Sequence, residues 1–245
     1  MMSSHTEVND KQHSNSCEEG YRRAVELMRE CRTEHGFLAT PTDQDNYRRI
    51  WGRDGAIIGL AALLRGDSEL IEGCRQTLET LAQYQGPHGE IPSNVDPKTD
   101  RVSYGGTAGR VDADLWFAIG CGLYWRVTGD NAFLDQMLEP LEKVRFLLGT
   151  WEFNTRGLLY VPPTGDWADE YLQSGYVLYD QLLYLQAQAS QSVASPSWRS
   201  DTSQASIRRI GWNRTAGPGA FRNICIAGNT PRGEPVPWDG VRPRP

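Results

Sequence analysis

The strongest constraint on this chain is an alternation among its helical segments. Three segments are the more apolar on all sides: 55–64 (GAIIGLAALL), 111–128 and about 173–190. Each follows a connection of roughly twenty residues or more, long by the standards of compact domains. The segments at about 17–32, 68–85 and 131–150 carry a single apolar stripe instead. Two of these follow short turns, Arg65-Gly66-Asp67 and Gly129-Asp130. A helix that is apolar all round must be enclosed by neighbours, whereas a striped helix faces one layer and water. In a stack of antiparallel helices, alternate connections fall at the same end. All three long loops therefore gather on one face, beside the N-termini of the three inner helices. The expected fold is all-α, a toroid of helical hairpins with its site at the loop-bearing mouth.

The segment Val111–Asp130 is the centre of this scheme. Leu115, Trp116, Ile119, Leu123 and Val127 recur at helical spacing, and Thr128-Gly129-Asp130 is a helix stop. Asp112 and Asp114 open the segment directly after the flexible run YGGTAGR (104–110). A buried helix that begins with acids at the mouth of a polar loop is a place to keep a catalytic acid. The competing reading is that Asp112 caps the helix and Asp114 complements its dipole. In the next helix, about 131–150, Pro140 is expected to kink or divide the pattern.

Composition sets the boundaries. Residues 1–16 are poor in large apolar side chains and are expected to form a disordered leader, with the helical domain over 17–190. Residues 191–245 hold eight arginines against Asp201, Glu234 and Asp239, a net +5, leaving −11 for the first 190 residues of a chain whose total is −6. That tail has no apolar period. It reads as a low-order stretch from a shifted reading frame, or alternatively as a basic binding tail. The acidic balance argues against nucleic acid as a partner. No run approaches the ~20 apolar residues of a membrane span, and the N-terminus lacks the core of a signal peptide. Five cysteines without a CxxC pair fit a reducing compartment, so a cytoplasmic protein is expected, with Cys74 and Cys121 as buried thiols. The four histidines have no metal-ligand spacing, and no phosphate- or dinucleotide-binding loop occurs, so neither metal nor cofactor is expected.

Three acid-bearing clusters sit at the ends of the three long loops. They are Trp51-Gly52-Arg53-Asp54, then Asp112 and Asp114 with Trp116, then a third run from Thr164 to Glu170 containing Asp166, Trp167 and Asp169. Carboxylates hydrogen-bond sugar hydroxyls, and indole faces stack on the C–H faces of a pyranose. Each acid alone reads equally as a cap, and each tryptophan as core packing. Their recurrence at equivalent places in the rhythm points to a saccharide site.

At these clusters the chain resembles the six-hairpin glycosidases: glucoamylases, neutral and alkaline invertases, and the amylo-α-1,6-glucosidase domain of glycogen debranching enzymes. WGRDGAIIGLAALL resembles the arginine-aspartate segment that lines their sugar pocket. VDADLW resembles the invertase segment whose aspartate, here Asp112, is the general acid. TGDWADEYLQSGYVLYDQLLYL resembles the debranching threonine-tryptophan-x-aspartate segment, with Gly165-Asp166 inserted. The resemblance covers about residues 18–190. It implies inverting hydrolysis of an α-glucoside or an α-glucan such as a glycogen or starch branch. Asp112 would be the acid, and Trp51, Arg53, Asp54, Asp114, Trp116, Asp166, Trp167 and Asp169 would be substrate contacts. It also implies a toroid of twelve helices, of which six are recognisable here. The general base is then expected outside this chain, and the unpaired half-barrel faces offer a surface for self-association. A non-catalytic carbohydrate-binding module and a helical scaffold protein are the alternatives.

Overall fold

The computed structural model describes residues 4–106, 109–153, 156–168 and 173–191, with side chains from Ser16 onward. It is mostly helical. Three helices form the inner row: α2 (Gly52–Arg65), α4 (Val111–Thr128) and α6 (Leu178–Gln191). α2 packs on α4, and α4 packs on α6. The helices α3 (Ser68–Gln83) and α5 (Asn131–Thr150) lie behind α2 and α4 respectively and touch each other. This is a two-layered arc of helical hairpins, a partial toroid. The fully apolar segments form the inner row and the striped ones the outer layer, as the alternation requires. Leu78, Leu81, Leu115, Phe117, Ile119, Phe133, Met137 and Leu141 fill the interface between the layers.

Both short turns use one device. Gly66 and Gly129 close α2 and α4 in the left-handed region, at φ 75° and 69°. A side chain is disfavoured there, and glycine is not. The aspartate that follows caps the next helix: Asp67 accepts from the N–H of Glu69 and Leu70, and Asp130 from that of Phe133. Gly-Asp is therefore stop and start in two residues, which forces an antiparallel hairpin.

The long loops are not plain coil. Two short strands, β1 (Arg32–Thr33) and β2 (Gly36–Phe37), form a hairpin after α1 (Ser4–Cys31). Three more, β3 (Ile50–Trp51), β4 (Asn94–Asp96) and β5 (Arg101–Ser103), make an antiparallel sheet. Its register pairs Ile50 with Val95 and Trp51 with Asn94, so it staples the first long loop to the second. With two or three residues each, these strands are too short to give a period-2 signal in the sequence.

Other boundaries also differ from expectation. α1 begins at Ser4, inside the stretch read as a leader. No proline, and no glycine before Gly20, interrupts helix propagation there. α6 begins at Leu178 rather than near 173, because Val161 and Gly175 exchange backbone hydrogen bonds of 2.8 and 2.7 Å, with Gly175 at φ 87°. That exchange ties the chain to the preceding loop. Pro140 does not divide α5, which runs unbroken from Asn131 to Thr150. The proline carbonyl accepts a 3.0 Å hydrogen bond from the Gln85 amide, so the next loop anchors on it. Residues 192–245 lie outside the described residues.

The two layers are close enough that a methyl group on Gly120 of α4 would meet Leu78 Cδ2 of α3 at 2.9 Å. Gly120→Ala should therefore destabilise by about 1–3 kcal/mol through overpacking, and Leu78→Ala by about 2–5 kcal/mol through the cavity it leaves. The double variant should lose less than the sum, because each change relieves the other. Thermal unfolding of the three variants measures the coupling.

Candidate active site

Each inner helix begins where a long loop ends, and the loops bond to one another there. Gly52 N–H, at the start of α2, donates to the Ser93 carbonyl of the second loop at 2.9 Å. Val111 N–H, at the start of α4, donates to the Gly165 carbonyl of the third loop at 2.9 Å. Gly52 is needed for the first contact, since a Cβ there would lie 2.9 Å from the Pro92 carbonyl. Neither α2 nor α4 has a side-chain cap; their N-cap residues are Trp51 and Arg110. Asp112 is therefore not a capping residue, and its carboxylate turns into the space between the loops.

Asp112 is buried, with its Oδ2 3.4 Å from one nitrogen of Arg53. A second nitrogen of the same guanidinium stands 3.4 Å from Asp54 Oδ2, so Arg53 bridges the two acids. The guanidinium also lies 5.7 Å from the centroid of Trp167, in the range of a cation–π contact. Arg110 donates to the Asp166 carbonyl, and Asp166 Oδ1 accepts from the Trp167 N–H at 2.6 Å. Trp51, Arg53, Ser93, Arg110, Asp112, Ala113 and Trp167 line one cleft of about 30 Å³. On its outer side Tyr47 stacks on Trp51, with centroids 5.6 Å apart and planes 19° from parallel.

Burial dominates the electrostatics. It pushes the Asp112 carboxyl up to about 6, against the pull of the Arg53 and Arg110 guanidiniums and with the help of the Asp166 charge. Asp112 is thus an acid that titrates near neutrality in a small cleft walled by two indoles and two guanidiniums.

Not every residue expected at the site lines it. Asp114 is buried on the far side of α4 from the cleft, where its Oδ1 accepts from the Ile91 N–H at 2.7 Å. Burial raises its carboxyl well above the usual range. Its place is to hold the second loop against the helix, because two positions along α4 turn it about 200° away from Asp112. Trp116, half-buried, donates its indole N–H to the Tyr179 hydroxyl at 2.9 Å and packs against the core between α4 and α6. Asp54 sits outside the lining, held by Arg53. Asp166 is buried behind Trp167 and reaches the cleft through that residue. Asp169 lies outside the described residues.

Three participants escaped the sequence reading. Ser93 gives no signal of its own; only the strand pairing brings it beside Trp51. Asp180 and Tyr179 were visible in principle. Asp180, Leu183, Tyr184, Ala187 and Gln191 form one buried stripe of α6, so an acid stood among core positions at helical spacing. A larger groove of about 530 Å³ lies between α1 and α2, lined by Tyr21, Arg22, Arg65 and their neighbours. Arg65 is at the opposite end of α2 from Arg53, about 18 Å away at 1.5 Å per residue. Arg22 is already paired with Glu19 and Glu26.

The sequence has a remote relative among known proteins. An uncharacterized glycosyl hydrolase of Methanocaldococcus jannaschii is 25% identical over 126 residues, covering 50% of this chain and 19% of the relative. The likeness is to a glycosyl hydrolase and is remote. The chain spans about a fifth of that relative's length. No protein-family model matches the sequence. Among the described residues no helix is long and apolar enough to cross a membrane, and no group of three or more His, Cys, Asp or Glu is placed to hold a metal ion.

The balance at Asp112 is testable through Arg53. Because the guanidinium favours the ionised carboxyl, Arg53→Gln should move the Asp112 titration above about 6. Carbon-13 NMR of labelled aspartate reads the midpoint directly; a downward move would show that Arg53 does not act on this acid.

Proposed function

We propose that this chain carries the acid side of an inverting glycoside hydrolase acting on an α-glucoside or short α-glucan. The observation that carries the reading is Asp112: a buried carboxyl raised to about 6, at the floor of a cleft with Trp51 and Trp167 at its walls. Hydrolysis of a glycosidic bond needs a proton delivered to the leaving oxygen, from a group protonated near working pH. An acid with a midpoint of about 6 is roughly a tenth protonated at pH 7 and half at pH 6. The remote likeness to a glycosyl hydrolase supports hydrolysis of a glycoside in general.

The roles divide by position. Trp51 and Trp167 would stack on pyranose faces, and Tyr47 would extend the Trp51 platform outward. Arg53 and Arg110 would donate to sugar hydroxyls, whose lone pairs they face across the cleft. Asp54, Asp114, Asp166 and Trp116 would hold those groups in place, with Asp54 and Asp166 nearest the sugar. Asp169 would join them from the third loop.

An inverting reaction also needs a second carboxylate about 6.5–9.5 Å from the acid to activate water. Among the described residues lining the cleft, Asp112 is the one carboxylate. The cleft holds about 30 Å³, far below the roughly 300 Å³ of a ligand pocket. Both facts support a site whose other wall, with the base, lies outside the described residues. They also favour a second reading, in which this chain binds saccharide without turning it over.

Hydrolysis of maltooligosaccharides and aryl α-glucosides, followed by NMR of the released anomer, separates the two. With the base-bearing wall restored, the first reading expects a β-configured product, an activity that declines as pH rises through about 6, and a loss of about 10²–10⁴-fold in Asp112→Asn. Quenching of tryptophan fluorescence by the same sugars without turnover would support the binding module. Equal rates in wild type and Asp112→Asn would remove the acid assignment.

A further inference from the structure

Trp167 is the most exposed of the described residues that line the cleft, at 47%. It sits on the third loop, and the 2.6 Å bond from its N–H to the neighbouring Asp166 carboxylate fixes its backbone rather than its ring. The ring is held from two sides. The Arg53 guanidinium lies over it, 5.7 Å from its centroid. Tyr179, the second residue of α6, meets it edge to face, with centroids 6.3 Å apart and planes at 64°, inside the favoured range for aromatic pairs.

Tyr179 is itself tied down. Trp116 Nε1 donates to its hydroxyl at 2.9 Å. An indole N–H can only donate, so the phenol oxygen is the acceptor in that bond and is held from α4. Trp116 stands four residues after Asp112 on α4, and side chains at that spacing project from one face about one turn apart. Arg53 closes the circuit, 3.4 Å from Asp112. Asp112, Arg53, Trp167, Tyr179 and Trp116 thus form a ring of contacts that begins and ends on α4 and draws on α2, the third loop and α6. Burial pushes the Tyr179 hydroxyl up to about 12, so it is a neutral phenol on both sides of the Asp112 midpoint.

We propose that Tyr179 is a positioning residue for saccharide binding: anchored by Trp116, it sets the Trp167 indole as a fixed wall of the cleft before a ligand arrives. The gain is preorganisation. An indole that its ligand must immobilise weakens binding, whereas one already held between a guanidinium and a phenol does not. The anchor is rigid, because α4 and α6 pack on each other. Arg53 is a poorer anchor, since its guanidinium is divided between Asp54 and Asp112. Tyr179 is absent from the described lining of the cleft, so its effect reaches the ligand through Trp167. That the ligand is a saccharide rests on the function proposed above; the hold of Tyr179 on Trp167 does not.

Fluorine NMR of the whole chain labelled with 5-fluorotryptophan gives a signal for each of the eight indoles, and Trp116→Phe and Trp167→Phe assign two of them. Tyr179→Leu should move the Trp167 signal and enlarge its solvent isotope shift. Tyr179→Phe, which keeps the ring and loses the hydroxyl, should move the Trp116 signal more than the Trp167 signal. Calorimetric titration with maltotriose is the second arm. Tyr179→Leu should weaken binding about 3- to 10-fold, yet should change nothing when added to Trp167→Ala. A merely structural role would lower affinity in both backgrounds. The proposal is overturned by a Trp167 signal indifferent to Tyr179→Leu, by an unchanged affinity in that variant, or by a loss that persists beside Trp167→Ala. Should Tyr179→Leu fail to fold, Trp116→Phe takes its place by removing the anchor, and an unmoved Trp167 signal there overturns the proposal. A wild type that binds no maltotriose removes the saccharide reading of the cleft, while the fluorine signals still decide whether Tyr179 holds Trp167.

Discussion

The structure depends on backbone pairing among its long loops at the N-terminal ends of the inner helices. Trp51 pairs with Asn94, Gly52 donates to Ser93, and Val111 donates to Gly165. Helix packing alone would bring three hairpins side by side while leaving their loops free to splay. These few hydrogen bonds fix where each loop enters its helix, and so fix the three-dimensional relation of residues 51, 93, 112 and 167. They also consume helix N–H groups that a capping side chain would otherwise take. That explains why the outer helices α3 and α5 have aspartate caps and the inner helices α2 and α4 do not. At the mouth, capping is done by the neighbouring loop.

The helical part of this arrangement was legible in the sequence because helices speak through periodicity. Val111–Thr128 and Asn131–Thr150 start and stop within a residue or two of the breakers that announce them. The site was legible to the extent that it is local. Trp51, Arg53 and Asp112 lie within the first turns of inner helices or immediately before them, so the alternation of connections placed them at the same end. What failed was the direction of side chains. Asp112 and Asp114 differ by one intervening residue, and the sequence offers no reason for one to face the cleft and the other to face Ile91. The answer comes from the second loop, whose Ile91 N–H needs an acceptor. Trp116 shows the same limit, since an indole three or four residues beyond a cleft residue is closer to the packed body of α4 than to its mouth.

Asp180 illustrates a different lapse. Its period was plain, but an acid in an apolar stripe is easily read as the solvent edge of a helix when its neighbours are Tyr176, Tyr179 and Leu182. In the structure it belongs to the stripe of Leu183, Tyr184 and Ala187 instead. A buried acid on a core stripe with no basic residue at i±3 or i±4 has no local partner, so its partners must come from another element. In the structure the charges within its reach are those of Asp166 in the third loop and Asp112 of α4.

The concentration of acids here runs against stability. Holding Asp112 at about 6 rather than at an ordinary carboxylate value costs about 3 kcal/mol at neutral pH. Asp114 is shifted further in the same direction by burial. A core built only for stability would place apolar side chains at these positions, since well-packed hydrophobic residues match or exceed buried ionic groups. Asp114 has a structural return, the Ile91 hydrogen bond. Asp112 has none of that kind, because its ion pair with Arg53 is loose at 3.4 Å and Arg53 is shared with Asp54. A carboxyl kept in a costly place on a rigid helix, with its basic partner divided and two indoles at its entrance, makes sense where a proton must be given up to a ligand that arrives between them. Local departures from the stability rule of this sort are a feature of functional sites, and Asp112 is the carboxylate among the described lining residues of the cleft that carries one.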